Sequence, residues 1–289
     1  MTTDNHERTS EADKSFNEPT ETRIAIISKI LVPVVFSERC AWAARYAFRL
    51  ADTFAAELVF VHVGENGESQ RLKTFLTSVI GSGRYQSVTI HGDAADRIVE
   101  IARERQADLI VMPTYSRGTF RRFLLGSVTA KVLHDVDCAV LTGVHHDRDP
   151  MLVPDKIGHI VAAVNKGPGC LPVIRWATDL AKHLNATLKI VHAVPAADET
   201  SDNHGVIAVR RYLFQEATDA FDRDLAGQQL DSPVHVAGGG VARVVRETVL
   251  AEHADLVVIG RGYTDRILGR LRTHTYEIIW KSPCPVISI

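Results

Sequence analysis

Arg117, Arg121 and Arg122 fall close together in a polar stretch, residues 113–122, that also holds Gly118, and Gly126-Ser127 follows shortly after. Residue types in this order suit an anion. A guanidinium donates in a fixed fork that matches phosphate oxygens. A helix opening at Gly126-Ser127 leaves the N–H groups of its first turn unpaired and adds about half a positive charge at that end. The Ser127 hydroxyl is a further donor. Phosphate, above all that of a nucleotide, is the chemistry such a stretch serves. The plainer alternative is an ordinary strand–loop–helix connection with Ser127 as N-cap and the arginines in solvent.

The flanking elements are legible. Leu109-Ile-Val-Met112 is an unbroken apolar run, the pattern of a strand buried on both faces. Val128, Val132 and Leu133 recur at helical spacing after Ser127. Upstream, the pattern predicts strands over 29–35, 57–63 and 87–91 and helices over 40–54, 69–80 and 95–105. Ser37 and Asp93 stand where helix caps belong, and Asp96 where a first-turn acid complements the dipole. A fifth strand over 138–142 follows the helix that ends near Asp135. Strands alternating with helices across short turns imply a parallel sheet covered on both faces.

The pattern then repeats. An offset of 130 carries Ile30 to Ile160, Cys40 to Cys170, Leu50-Ala51 to Leu180-Ala181, and Val61-His62 to Val191-His192. Further on the offset is 147, which carries Gly92 to Gly239 and Ala107-Asp108-Leu109 to Ala254-Asp255-Leu256. The 17 added residues fall between Ala193 and Gly239. Beyond the loop an offset of 146 carries Cys138 to Cys284. The chain is an internal duplication. Most repeated residues are apolar or small and speak of fold. His62 and His192 end strands, where α/β sheets bind ligands, although a hydrogen-bonded strand-end histidine accounts for both.

Composition excludes several classes. A net charge of −2 gives no electrostatic case for nucleic acid. No apolar run reaches the roughly 20 residues of a membrane span. Residues 1–23 are polar and read as a disordered tail without the apolar centre of a signal peptide. The four cysteines form no C-x-x-C pair and read as reduced, mostly buried thiols of a cytoplasmic protein. The 13 histidines show no metal-site spacing, so no metal ligands are expected. No Walker loop, no G-x-G-x-x-G after the first strand and no G-x-S-x-G elbow is present.

Ile30-Leu-Val-Pro-Val, Val61-His-Val63, His91-Gly-Asp-Ala-Ala-Asp-Arg-Ile98, Ala107-Asp-Leu-Ile-Val-Met and Phe120-Arg-Arg-Phe-Leu-Leu-Gly-Ser-Val-Thr129 together resemble the universal stress protein family. Ala254-Asp-Leu-Val-Val-Ile-Gly260 and Ser282-Pro-Cys-Pro-Val-Ile-Ser288 carry the resemblance into the second copy. It implies two tandem, doubly wound, five-stranded α/β units of the Rossmann-like, adenine-nucleotide α-hydrolase-like class. It also implies, as in some members, ATP with Mg2+ at the C-terminal edge of the sheet. Contacts are then expected from strand ends (Pro33, Val34, Val35, Val63), from the loop (Met112, Pro113, Ser116, Arg117) and from the helix start (Gly126, Ser127, Val128, Thr129).

Both copies depart from the nucleotide-binding pattern G-x2-G-x9-G-[S/T]. In the first copy Pro113 and Ser116 stand at the two leading glycines, and Val35 at an acidic position near the nucleoside. Pro113 has no N–H to offer, and Val35 accepts nothing from a ribose. In the second copy Gly260 is kept, Asn165 takes the acidic position, and Arg272-Thr273 replaces the final pair.

The expected organisation is a tail (1–23), a first unit (24–143), a linker (144–157) and a second unit (158–289). The apolar strands 138–142 and 284–288 need a cover, and pairing them to each other would make an intramolecular pseudo-dimer. The expected function is a stress-response binding protein, more a regulator than an enzyme, with a degenerate adenine-nucleotide site in the first unit. The alternatives are a slow ATP hydrolase or nucleotidyl transferase, for which His62 is the one nearby titratable group, and a nucleotide-independent interaction scaffold.

Overall fold

The computed structural model describes residues 27–65, 67–114, 125–143, 153–167, 169–195, 204–228, 232–261 and 273–289. The expected tail, most of the linker, and Ser116, Arg117, Arg121, Arg122 and Arg272 lie outside them.

The first half runs β1 (Lys29–Pro33), α1 (Glu38–Phe54), β2 (Glu57–Val63), α2 (Ser69–Ile80), β3 (Gln86–Ile90), α3 (Ala94–Glu104), β4 (Leu109–Met112), α4 (Ser127–Asp135) and β5 (Ala139–Thr142). The second runs β6 (His159–Ala163), α5 (Cys170–Leu184), β7 (Thr187–Val194), α6 (His204–Asp224), β8 (Val234–Gly238), α7 (Val241–Ala251), β9 (Leu256–Ile259), α8 (Thr273–Lys281) and β10 (Val286–Ser288). The added residues of the second half are taken up largely by α6, 21 residues long against 12 in α2.

All ten strands form one sheet in the order β3-β2-β1-β4-β5-β10-β9-β6-β7-β8. Within each half every pairing is parallel. At the centre β10 runs antiparallel to β5, with Val286 opposite Thr142, Ile287 opposite Leu141 and Ser288 opposite Val140. Side chains reinforce this seam: Thr142 Oγ1 donates to Val286 O at 3.2 Å and Ser288 Oγ to Val140 O at 3.4 Å.

Alternation along the strands sends side chains to two cores. Ile30 and Val32 join residues of α1, α2, α5 and α6 on one face, whereas Leu31 joins α3, α4, α7 and α8 on the other. Each core runs unbroken from one half into the other. Burial of this much apolar surface is the dominant favourable term. The start of the second half is also tied back to the first, because Arg49 of α1 donates to Pro154 O at 3.2 Å and to Asp155 at 2.5 Å.

Local signals explain the boundaries. Ser37 caps α1, accepting from Cys40 N at 3.4 Å. Asp93 caps α3 through Ala95 N and Asp96 N, and Asp96 pairs with Lys131 of α4 at 2.5 Å. The duplicated Gly92 and Gly239 share φ 130, a conformation open to glycine and costly for other residues. β1 ends at Pro33, two residues short of the expected run, because Val35 O is turned back to accept Ser37 N at 2.6 Å.

Candidate functional site at the end of the first sheet half

Strand order reverses between β1 and β4, since β2 and β3 lie on one side of β1 and β5 lies beyond β4. Open α/β sheets bind ligands at such a switch point, outside the C-terminal ends of the strands. Val34 and Val35 leave β1 there, and Pro113 and Thr114 leave β4. Val34 is buried, its N–H bonded to Val61 O at 2.8 Å. Val35 is 39% exposed, and its N–H lies 3.4 Å from Cys40 Sγ. Pro33 sits beside Val61 in the sheet, and Val63 ends β2 beside Ile90. Met112 ends β4, buried, its carbonyl accepting Gly143 N at 3.3 Å.

The loop after β4 is closed at its neck. Gly126 N donates to Thr114 O at 2.9 Å, and Thr129 Oγ1 donates to Pro113 O at 3.1 Å. This replaces the alternative in which Ser127 is the N-cap. Ser127 is not the N-cap: it is the first residue of α4, and Gly126 is the cap, without a side-chain bond. The buried Thr129 turns its hydroxyl to the loop neck and not outward. With no side chain on its cap, α4 presents the first-turn N–H groups of Ser127, Val128 and Thr129 unpaired within the helix. Ser127 is exposed beside them. The structure therefore brings the strand ends and the start of α4 to one rim.

A second cluster flanks this rim: His62 was expected at the strand end, and its partners Glu68 and Arg71 were not. His62, buried at the end of β2, holds Val34 O with Nδ1 at 2.8 Å and Glu68 Oε2 with Nε2 at 3.0 Å. Glu68 also accepts Glu65 N at 3.0 Å and Arg71 Nη1 at 3.0 Å. The His62 contact, then the Glu65 N–H, holds the Glu68 carboxyl below its ordinary range. The Phe36 ring lies 4.5 Å from the His62 ring, with the Arg71 guanidinium 4.1 Å from its centroid. Gly64 is required here, because a Cβ would stand 2.2 Å from Glu68 Oε2. Both ring nitrogens of His62 are engaged, which leaves it no free lone pair with which to activate a nucleophile.

The sequence model of the universal stress protein family matches residues 77–142 and 156–289. The chain belongs to the universal stress protein family. A universal stress protein of Methanocaldococcus jannaschii is 28% identical over 138 residues, covering 40% of this chain and 81% of that protein. Among solved structures, a functionally unknown protein from Pseudomonas aeruginosa aligns with a TM-score of 0.66 at 18% identity, over 91% of this chain and 92% of that one. A universal stress protein from Archaeoglobus fulgidus aligns with a TM-score of 0.60 at 16% identity, over 90% and 95%. These likenesses carry the fold: two tandem, doubly wound α/β units.

In this universal stress protein the second rim, between β6 and β9, is built differently. His192 holds Val164 O with Nδ1 at 2.8 Å, as His62 holds Val34 O. Burial lowers its pKa, and Lys166 adds to that. Lys166 pairs with Glu216 of α6, and Gly167 N donates to Asp224 at 3.1 Å. Cys40, Cys138 and Cys170 carry free thiols; burial raises those of Cys40 and Cys170, and carries that of Cys138 to about 11. Among the described residues no group of three or more His, Cys, Asp or Glu is placed to hold a metal ion, and no helix is long and apolar enough to cross a membrane.

Proposed function

We propose that this stress-response protein binds an adenine nucleotide, ATP with Mg2+ foremost, at the rim of its first unit. The observation that carries the reading is the uncapped N-terminus of α4, opening where β1 and β4 diverge. Its first-turn N–H groups, unpaired within the helix, and the exposed Ser127 hydroxyl fit phosphate oxygens by type. The apolar strand ends Val34, Val35 and Val63 supply a floor for a base. Ser116 and Arg117 complete the phosphate side in this reading, and Mg2+ arrives with the phosphates. Val35 offers a ribose no acceptor, so the affinity expected is modest.

Binding is favoured over turnover because His62 is held on both nitrogens. The β5–β10 seam supports reading units 24–143 and 158–289 as an intramolecular pseudo-dimer joined by linker 144–157. The buried, free thiols of Cys40 and Cys170 suit work in the cytoplasm.

The test is calorimetric titration with Mg-ATP of the parent and of a Gly126→Arg, Ser127→Ala variant. Gly126→Arg places a long side chain at the cap. Binding by the parent, weakened at least about tenfold in the variant, supports the site. No binding by the parent, or equal binding by both, overturns it.

A further inference from the structure

The helix on which that site rests is held at its far end by the other unit. Arg261 directly follows Gly260 beyond the end of β9, its N–H donating to Ile289 O at 2.9 Å. Its side chain crosses to the first unit. Nη1 donates to Leu133 O at 3.3 Å and to Val136 O at 2.7 Å, and Nη2 donates to Cys138 O at 2.6 Å. Leu133 lies in the last turn of α4 and Val136 is its C-cap. The carbonyls of a last turn have no partner within their helix, and a cation at that end is favoured by the dipole. One half-buried guanidinium thus ties the end of α4 to the start of β5.

Among the described residues the arrangement is one-sided. The duplication places Thr114 where the second half has Arg261. Thr114 carries no cation, and its carbonyl closes the loop neck by accepting Gly126 N. The turn between α8 and β10, which corresponds to the turn Arg261 grips, is closed from within. There Ser282 Oγ donates to Cys284 O at 2.7 Å. Among the described residues, bracing of this kind therefore runs from the second unit to the first.

Taken with the reading of α4 as the phosphate-facing helix, on which this rests, we propose that Arg261 is a positioning residue for the first unit's site. By gripping three carbonyls at one end of α4 it fixes how the N–H groups at the other end meet the rim. The first unit's site is incomplete without the second unit. The second unit, in turn, commits the residue after its loop glycine to support and not to a ligand of its own.

Hydrogen exchange and Mg-ATP titration of the full chain test this, with Arg261→Met and Arg261→Lys beside the parent. Arg261→Met keeps much of the packing and removes the donors. Its α4 amides should exchange roughly ten- to hundredfold faster, with β1–β3 and β6–β8 unchanged. Mg-ATP should bind about tenfold more weakly, and Arg261→Lys should recover part of both losses. Unchanged α4 exchange overturns the proposal, as does a loss of protection spread evenly over both units. Faster α4 exchange with undiminished Mg-ATP affinity overturns the positioning role. If Arg261→Met does not fold, Arg261→Lys is read alone: intermediate α4 exchange supports the bracing and parent-like exchange overturns it. A parent that binds no Mg-ATP removes the proposed ligand, while the exchange comparison still decides whether the second unit braces α4.

Discussion

His62 Nε2 lies 3.0 Å from Glu68 Oε2 while His62 Nδ1 lies 2.8 Å from Val34 O. A carbonyl oxygen only accepts, so Nδ1 carries a proton. Nε2 then faces a carboxylate oxygen that already accepts Glu65 N. The equivalent His192 has the carbonyl partner and a pKa lowered by burial. The two strand-end histidines are thus one backbone feature in two different charge environments.

That pair makes stability depend on pH in a defined direction. The Glu68 carboxyl titrates below its unfolded range, chiefly through the His62 contact. A group of this kind stabilises the fold above its unfolded pKa, and the contribution is lost as pH falls through the folded value. Glu68→Gln removes it. The parent should melt above Glu68→Gln near neutral pH, and the gap should close as pH falls through and below about 4.3, the ordinary glutamate value. Thermal melts across that range check this, and a gap constant with pH would count against it.

Asp108 and Asp255, paired by the duplication, clamp the two halves alike. Asp108 Oδ2 accepts Ser28 N at 2.8 Å, Lys29 N at 2.9 Å and Ser28 Oγ at 2.6 Å. Asp255 Oδ2 accepts Gly158 N at 2.7 Å and His159 N at 3.0 Å. Each carboxylate locks the entry of the first strand of its half to the entry of the fourth. Alanine at either position should cost about 1.5–3 kcal/mol, with Asp108→Ala the larger because it also loses the bond from Ser28 Oγ. Denaturant unfolding measures both, and a cost below about 0.5 kcal/mol at either would show the clamp to be idle.

Tyr46 is 2% exposed, and its hydroxyl has no hydrogen-bond partner among the described residues. Burial pushes its pKa upward. Removing an unpaired buried hydroxyl relieves a desolvation cost, so Tyr46→Phe should be neutral or more stable by about 1 kcal/mol. A loss of more than about 1 kcal/mol on unfolding would mean that the hydroxyl is satisfied, for instance by a buried water.

Much of the fold was legible because its signals are local. Unbroken apolar runs marked Leu109–Met112 and Leu256–Ile259, wholly buried strands. Ser37 and Asp93 announced caps they do form. The duplication showed which residues correspond, though not why. Ala55 and Asn185 both take left-handed conformations at helix ends, as do Gln106 and His253, and none is the glycine that would have signalled it.

The site was legible only where sequence neighbours meet in space. Gly126-Ser127 pointed to the start of α4, but the cap fell one residue early because a glycine with no donor or acceptor side chain holds it. Arg261 left no trace in the sequence. Its partners are main-chain carbonyls more than 120 residues away, and a carbonyl has no residue type to read.

The antiparallel join of β5 to β10 sets the two halves head to tail. The strands of one half end on the margin where those of the other begin. Anything that approaches either margin meets the ligand mouth of one copy and the underside of its twin together. The duplicated chain is therefore two-faced by construction. Arg261, bonded to the turn between α4 and β5, lies on one of these margins and, among the described residues, sets it apart from the other.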